Sequence, residues 1–431
     1  MATVRPFGAI MYDPARVDVG RVLAPPYDVI RPRDQQRYYE QDPHNVVRLI
    51  AGEVRATDNP EDNKYLRAAQ FFKRWLDEGV LRREPEPALF LYRHDFVDPT
   101  TNDAKTRQGI LGVVELEPFG RTILPHERTH ARAKADRLSL TRAVVANLSP
   151  IFALYDDPKS AVRCLIEPVF SEPPRLAIRS EDGDRHTIWS LRAPGPIQEI
   201  VQAFEPSLLY VADGHHRYET ALNFRNKMRQ EHPDAPPDAA FNYVLTLLVA
   251  VNDPGLTILP THRLLHDAEP FDAAALVQEL RGQYRVEVHS GRSELLEGLR
   301  APTVAHRIGV ALPDAWLTVD IEPAANADPV STLDVSLLHR DILQRVLGLK
   351  DDLVEEEHVL SYSRDLDGVL EEVQTGAAQA AFLLRPPAVG DVVAVARAGQ
   401  VMPQKSTYFY PKPASGIVFN PLDPSIRIPA V

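Results

Sequence analysis

The chain has 431 residues, 44% of them hydrophobic and 25% charged, a balance that suits globular domains with cores of their own and a length that allows two or three of them. A formal charge of −12 and a sequence isoelectric point near 5.6 give no general attraction for phosphate backbones, so nucleic acid is not an expected partner. A single cysteine, Cys164, excludes an intrachain disulfide and any multi-cysteine metal site, and is expected in the core.

The first residues, MATVRPFGAIMYDPARV, contain no sustained apolar segment, and the longest apolar run, Val244 to Val251, is too short to span a bilayer, so a cytoplasmic protein without a membrane partner is expected. RVLAPPYDVI at 21–30 reads as a strand entering a turn fixed by Pro25 and Pro26, with Tyr27 and Asp28 on an exposed loop as candidate substrate contacts. Residues 61–79 have helical spacing, with Leu66, Ala69, Trp75 and Leu76 on one face and Gly79 as the stop. Strands are expected at 88–96 and 110–116, a helix at 134–147 and a strand at 151–155. The prolines of 171–198 and the Glu181 to Asp184 turn suggest an inserted hairpin. Residues 241–251 read as a buried strand. Beyond TILPTHR at 257–263 the rhythm changes to helices at 273–282, 335–347 and 366–375, and strands at 308–311, 316–321, 380–384 and 392–396. A boundary near 265 then gives domains 1–265 and 266–431.

The segment LLYVADGHHRYETALNFR at 208–225 reads as a strand, a turn at Asp213 and Gly214, and a helix opening with His215, His216 and Arg217. A helix start offers unpaired N–H groups and positive dipole; Gly214 permits positive φ and close approach, and Arg217 has a planar fork that matches phosphate. Asp213 is a candidate ligand for magnesium or for a substrate amine or hydroxyl. The alternative is an ordinary strand-to-helix turn with solvated histidines.

LPHERTH at 124–130 matches His-Glu-x-x-His, the zinc-hydrolase pattern, but Pro125 precedes it where that pattern wants a continuous amphipathic helix. A second reading makes Glu127, beside His126, a general base for a substrate hydroxyl; a third leaves both as surface polarity. Lys405, Ser406 and Thr407 lack the glycines of a nucleotide P-loop, yet a lysine and two hydroxyls among aromatics suit a segment closing over a nucleotide, or one packed by those aromatics for structure alone. His262 and Arg263 are either substrate contacts or a capped strand end. No dinucleotide fingerprint, nucleophile elbow or calcium loop occurs in the sequence, so hydride transfer and serine-hydrolase chemistry lack support.

PPYDVI at 25–30, PHERTH at 125–130, KADRLSLTRAVVANLSPIFALYDD at 134–157, ADGHHRYETAL at 212–222, LPTHR at 259–263 and MPQKSTYFYPK at 402–412 together resemble the uncharacterised family called domain of unknown function 1015. Asp-Gly-His-His-Arg at 213–217, with Pro-His-Glu at 125–127 upstream, also resembles the motif pair of the ParB and sulfiredoxin-like fold, in particular its free-serine kinases. That resemblance implies an α/β (α+β) fold, with a phosphate-binding core carrying insertions and a C-terminal α/β domain. It implies Glu127 as base, Asp213 as metal or substrate ligand and Gly214 to Arg217 as phosphate cradle. The spacing between the motifs is longer here than in the compact kinases, and the C-terminal third has no counterpart in them. The expected function is a phosphotransferase using ATP or ADP with Mg2+ on a small hydroxylated metabolite such as serine. The rival is a nucleotide-responsive regulatory protein that binds a small molecule.

Overall fold

The structure, a computed structural model, describes residues 2–129, 131–303, 305–349 and 359–430. The chain forms two compact units, the first comprising the residues up to Thr257 together with those from Pro411 onward, the second Ile258–Tyr410. Both mix helices and sheet, as the α/β reading expects.

The first unit is built on a nine-stranded mixed sheet. Its strands are β1 (Val4–Arg5), β2 (Leu89–Val97), β3 (Ala104–Glu115), β4 (Ile123–Leu124), β5 (Ile151–Tyr155), β6 (Leu176–Arg179), β7 (Arg185–Leu191), β8 (Leu209–Asp213) and β9 (Tyr243–Ala250). They lie in the order β4-β8-β5-β9-β3-β2-β7-β6, with β1 beside the end of β3. The interior strands β5 and β9 are apolar along their length because a strand buried on both faces has no solvated side to alternate toward. The 171–198 segment does contain a hairpin, β6 and β7, turned at Gly183 with φ of +93°. The core joins Ile123, Ala153, Val211 and Leu248 from four strands to Tyr218 and Ala221 of a covering helix.

Two pairings at one edge of this sheet bring distant motifs side by side. β8 runs parallel to β4, with Leu209 beside Ile123 and Tyr210 beside Leu124, and antiparallel to β5, where the register slips between Val211 and Asp213. The helices that follow β4 and β8, α2 (Ala131–Val144) and α4 (His215–Glu231), pack on each other; between α1 (Lys64–Asp77) and α4 in the chain lies α3 (Pro194–Phe204).

The second unit carries a six-stranded antiparallel sheet of β10 (His262–Leu265), β11 (Arg285–His289), β12 (His306–Leu312), β13 (Ala315–Ile321), β14 (Leu360–Ser363) and β15 (Ala380–Leu383). Their order is β11-β13-β12-β15-β10-β14. Helices α5 (Ala273–Gln283), α6 (Arg292–Arg300), α7 (Leu366–Gln374) and α8 (Val389–Arg397) accompany it, with a further helical stretch that starts at Asp334–Leu337 and loosens into π-type turns over Leu338–Val346.

Several expectations change. The 392–396 segment is helical: Val392, Val395 and Ala396 are buried at helical spacing, and Asp391 caps the start, so the β-branched run is a misleading signal for a strand. RVL at 21–23 ends a helical turn, Val19–Val22, capped by Asp18, rather than forming a strand. Cys164 is exposed on the short helix Ala161–Ile166. The last residues do not stay with the second unit: Asn420–Pro421 pair with Ala146–Asn147, and Phe419 bridges to Ile10, so the segment from Pro411 onward completes the first. Among the described residues no helix is long and apolar enough to cross a membrane.

Candidate functional site

The two sequence motifs meet because β4 and β8 are parallel neighbours. Pro125, His126 and Glu127 leave the C-terminal end of β4, and Asp213, Gly214 and His215 leave the same end of β8. In mixed sheets the crevice outside such strand ends is where ligands gather, since loops and helix N-termini converge there. Gly214 holds φ of +95°, as its lack of a Cβ allows, and this sharp turn starts α4 immediately. The N–H of Tyr218 already bonds the Gly214 carbonyl, which leaves those of His215, His216 and Arg217 without intrahelical acceptors.

Glu127 and His215 form the centre of the cluster. Glu127 Oε2 lies 3.6 Å from His215 Nδ1, and the carboxylate is one-third exposed (34%) while the imidazole is buried. The N–H of His126 donates to His215 Nε2 at 3.4 Å, so Nε2 is the acceptor and the proton sits on Nδ1, facing Glu127. Burial, reinforced by the neighbouring His126, His216, Lys412 and Arg217, holds the His215 pKa well below the imidazole range, which keeps the ring neutral. His126 plays a different part. It is fully buried, its Nδ1–H donates to the Val211 carbonyl at 2.8 Å, and burial pulls its pKa down to about 4. Its ring stands edge-on to His215 at 4.8 Å. Expected among the catalytic groups, it is buried, with its ring packed against His215.

Asp213 anchors a chain of charges. Its Oδ2 accepts from Arg217 Nη2, its Oδ1 lies 2.7 Å from Lys412 Nζ, and Lys412 also pairs with Asp28. Burial would raise the Asp213 pKa, but Lys412 and Arg217 outweigh it and hold the carboxyl below its ordinary range. Burial would likewise lower the Lys412 pKa, but Asp213 and Asp28 outweigh it and push the ammonium up. The Arg217 fork is therefore not free, as its sequence context suggests: it is spent on Asp213 and on the Pro150 carbonyl. What remains for an anion is the backbone of the helix start, with His216 half-buried beside it.

Asp213 does not fit a magnesium ligand either. Both of its oxygens are engaged by cations, and among the described residues no group of three His, Cys, Asp or Glu side chains is placed to hold a metal ion. The zinc reading of 126–130 fails on its own terms, since residues 125–129 are not helical and α2 begins only at Ala131; His130 lies outside the described residues.

Of the other candidates, Asp28 joins the cluster through Lys412, and Tyr27 lies under the Arg137 guanidinium at 3.9 Å from the ring centre. Lys405, Ser406, Thr407, His262 and Arg263 belong to the second unit. There Ser406 is buried with its hydroxyl on the Pro403 carbonyl, and His262 Nδ1 accepts from the Leu384 N–H at 3.3 Å. The tail lysine that meets Asp213 is Lys412, from which the Lys-Ser-Thr pattern draws attention away. Glu219, one helical turn along from the helix start, is a further residue that sequence reading passes over; it accepts from Thr129 and from Lys134 at 2.7 Å and ties the loop after Glu127 to α4.

Comparison with known proteins gives the chain a family. The one described as "Protein of unknown function (DUF1015)" matches residues 4–336, and the chain belongs to it. No curated protein matches the sequence. Among solved structures, a conserved hypothetical protein from Pyrococcus furiosus is similar at 12% identity, over 68% of this chain and 88% of that one, with a TM-score of 0.32. A free serine kinase in complex with AMP matches at 12% identity over 67% and 83%, also at 0.32. SbnI with a C-terminal truncation, from Staphylococcus aureus, matches at 12% over 74% and 87%, again at 0.32.

Proposed function

We propose that this family member is a phosphotransferase that moves the terminal phosphoryl group of ATP or ADP to the hydroxyl of a small metabolite, serine being the first to test. The observation that carries the reading is the 3.6 Å approach of Glu127 to His215 at the start of α4, which puts an accessible carboxylate beside a helix N-terminus. The resemblance of 125–127 and 213–217 to the free-serine kinase motifs points the same way.

The roles follow from the groups present. The exposed face of Glu127 takes the proton from the substrate hydroxyl, and its other side lies 3.6 Å from the Nδ1 of neutral His215. The hydroxyl oxygen attacks the terminal phosphorus, the bond to the bridging oxygen breaks, and ADP or AMP leaves with that electron pair. The N–H groups of His215, His216 and Arg217 receive the phosphate oxygens, favoured by the helix dipole. Asp213, Arg217 and Lys412 fix the shape of the turn. Since the Asp213 oxygens do not suit magnesium, no step is assigned to that ion.

The test is incubation of the full chain with γ- or β-labelled nucleotide and a panel of hydroxylated amino acids. Label should pass to one of them, and Glu127→Gln should reduce transfer by about 10²-fold or more while nucleotide binding persists. Nucleotide binding with no product from any acceptor would instead favour the regulatory role.

A further inference from the structure

The second unit contains a cavity of 220 Å3 whose wall includes Thr261, Arg263, Asp334, Leu384, Arg385 and Ser406. It is about half as large again as the roughly 150 Å3 engineered cavity that holds benzene, so a molecule of comparable size fits. Arg263 is the unusual element. It is 1% exposed, it forms no ion pair with any described carboxylate, and its Nε has no hydrogen-bond partner. Its other donors reach only carbonyls, those of Thr261, Gln404 at 3.2 Å and Lys405 at 3.3 Å, and its guanidinium lies 5.3 Å from the Tyr362 ring centre.

A buried guanidinium without a counterion is costly, and proteins keep such charges where something else balances them. The acidic groups on the wall do not. Asp334 is taken by His306 Nδ1 at 2.7 Å and by Arg385 Nε at 3.2 Å, and Asp391 accepts the Ala388 N–H at 2.8 Å. Arg263 is left without a carboxylate partner, beside apolar surface from Leu384.

We propose that this cavity binds a small organic anion, with its carboxylate or phosphate group seated on Arg263 and its apolar part against Leu384. The site lies within the second unit, and its existence does not depend on the phosphotransferase reading of the first.

Titration calorimetry of the full chain with butyrate and with inorganic phosphate tests the proposal and separates the two head groups. Saturable binding of at least one probe is expected, weakened tenfold or more by Arg263→Met and unchanged by Arg217→Gln. Thr332→Trp, which fills the cavity from a half-buried wall position and leaves Arg263 in place, should also abolish binding in a folded protein. The unfolding midpoint of anion-free Arg263→Met should be no lower than that of the parent, because an unbalanced charge has been removed. Absence of saturation by both probes in the folded parent would overturn the proposal, as would binding that survives both Arg263→Met and Thr332→Trp.

Discussion

Lys412 Nζ lies 2.7 Å from Asp213 Oδ1, tying the tail segment to the turn that opens α4 across nearly two hundred residues of sequence. Both side chains are largely shielded from water, and each keeps one further partner of opposite charge, Arg217 for Asp213 and Asp28 for Lys412. Lys412→Met should destabilise the first unit by about 1–3 kcal/mol, less than for a buried charge left with no partner because Arg217 still holds Asp213, and the loss should be smaller when Asp213 is already Asn. Urea unfolding of the two single variants and the double variant measures the coupling; additive losses would show that the pair is not interacting.

The conformation of Gly214 supports a second prediction. At φ of +95° any side chain is strained, and a Cβ would come within 3.1 Å of the Arg217 guanidinium that grips Asp213. Gly214→Ala should cost about 1–2 kcal/mol and loosen the Arg217 contact. The unfolding midpoint reports the first effect. The second should appear as a smaller penalty for Arg217→Gln when it is combined with Gly214→Ala than when it is made in the parent.

Much of this arrangement is legible in the sequence, and the reasons for the gaps are physical. Asp213 and Gly214 between an apolar run and a helical pattern specify a strand, a turn and a helix by local rules alone, and Ile123 and Leu124 before Pro125 do the same for the other motif. Their convergence depends on β4 and β8 being parallel neighbours, which no local pattern encodes. The role of Lys412 is harder still to read, because it depends on the chain returning to the first unit after the whole of the second. Arg217 is recognisable as a fork of donors, but its acceptors, Asp213 and the Pro150 carbonyl, follow from tertiary packing. At 392–396, β-branched residues speak for a strand, while burial at i, i+3 and i+4 decides for a helix.

Buried histidines set the acid side of stability. His126 is pulled from 6.5 down to about 4, and His186, tilted against the His94 ring and bonded to Tyr92 at 2.7 Å, to about 3, in both cases chiefly by burial. Lowered pKa values mean that the unfolded chain binds more protons than the folded one as pH falls below 6.5. Stability is thus fully present above about 6.5 and is lost progressively as pH drops toward the folded values, by roughly 3 kcal/mol for His126 at the most. Denaturant midpoints measured from pH 7.5 to 4.5 should fall along this course, and His126→Asn should flatten part of the slope. An unchanged slope would show that His126 is not a source of the acid sensitivity.

The tautomer of His215 gives the strictest test of the proposed chemistry. Because the His126 N–H occupies Nε2, the only proton His215 can offer Glu127 is the one on Nδ1, and because burial keeps the ring neutral, that arrangement persists across the neutral range. Phosphoryl transfer should then show no imidazole-like limb between pH 6 and 8. His215→Asn should lower kcat by roughly tenfold to a hundredfold with little change in KM, since the carboxylate remains but its orientation is lost. A rate that falls through an apparent pKa near 6.5 in the parent, and loses that limb in His215→Asn, would mean that the imidazole itself titrates during turnover and that Glu127 does not act alone as base.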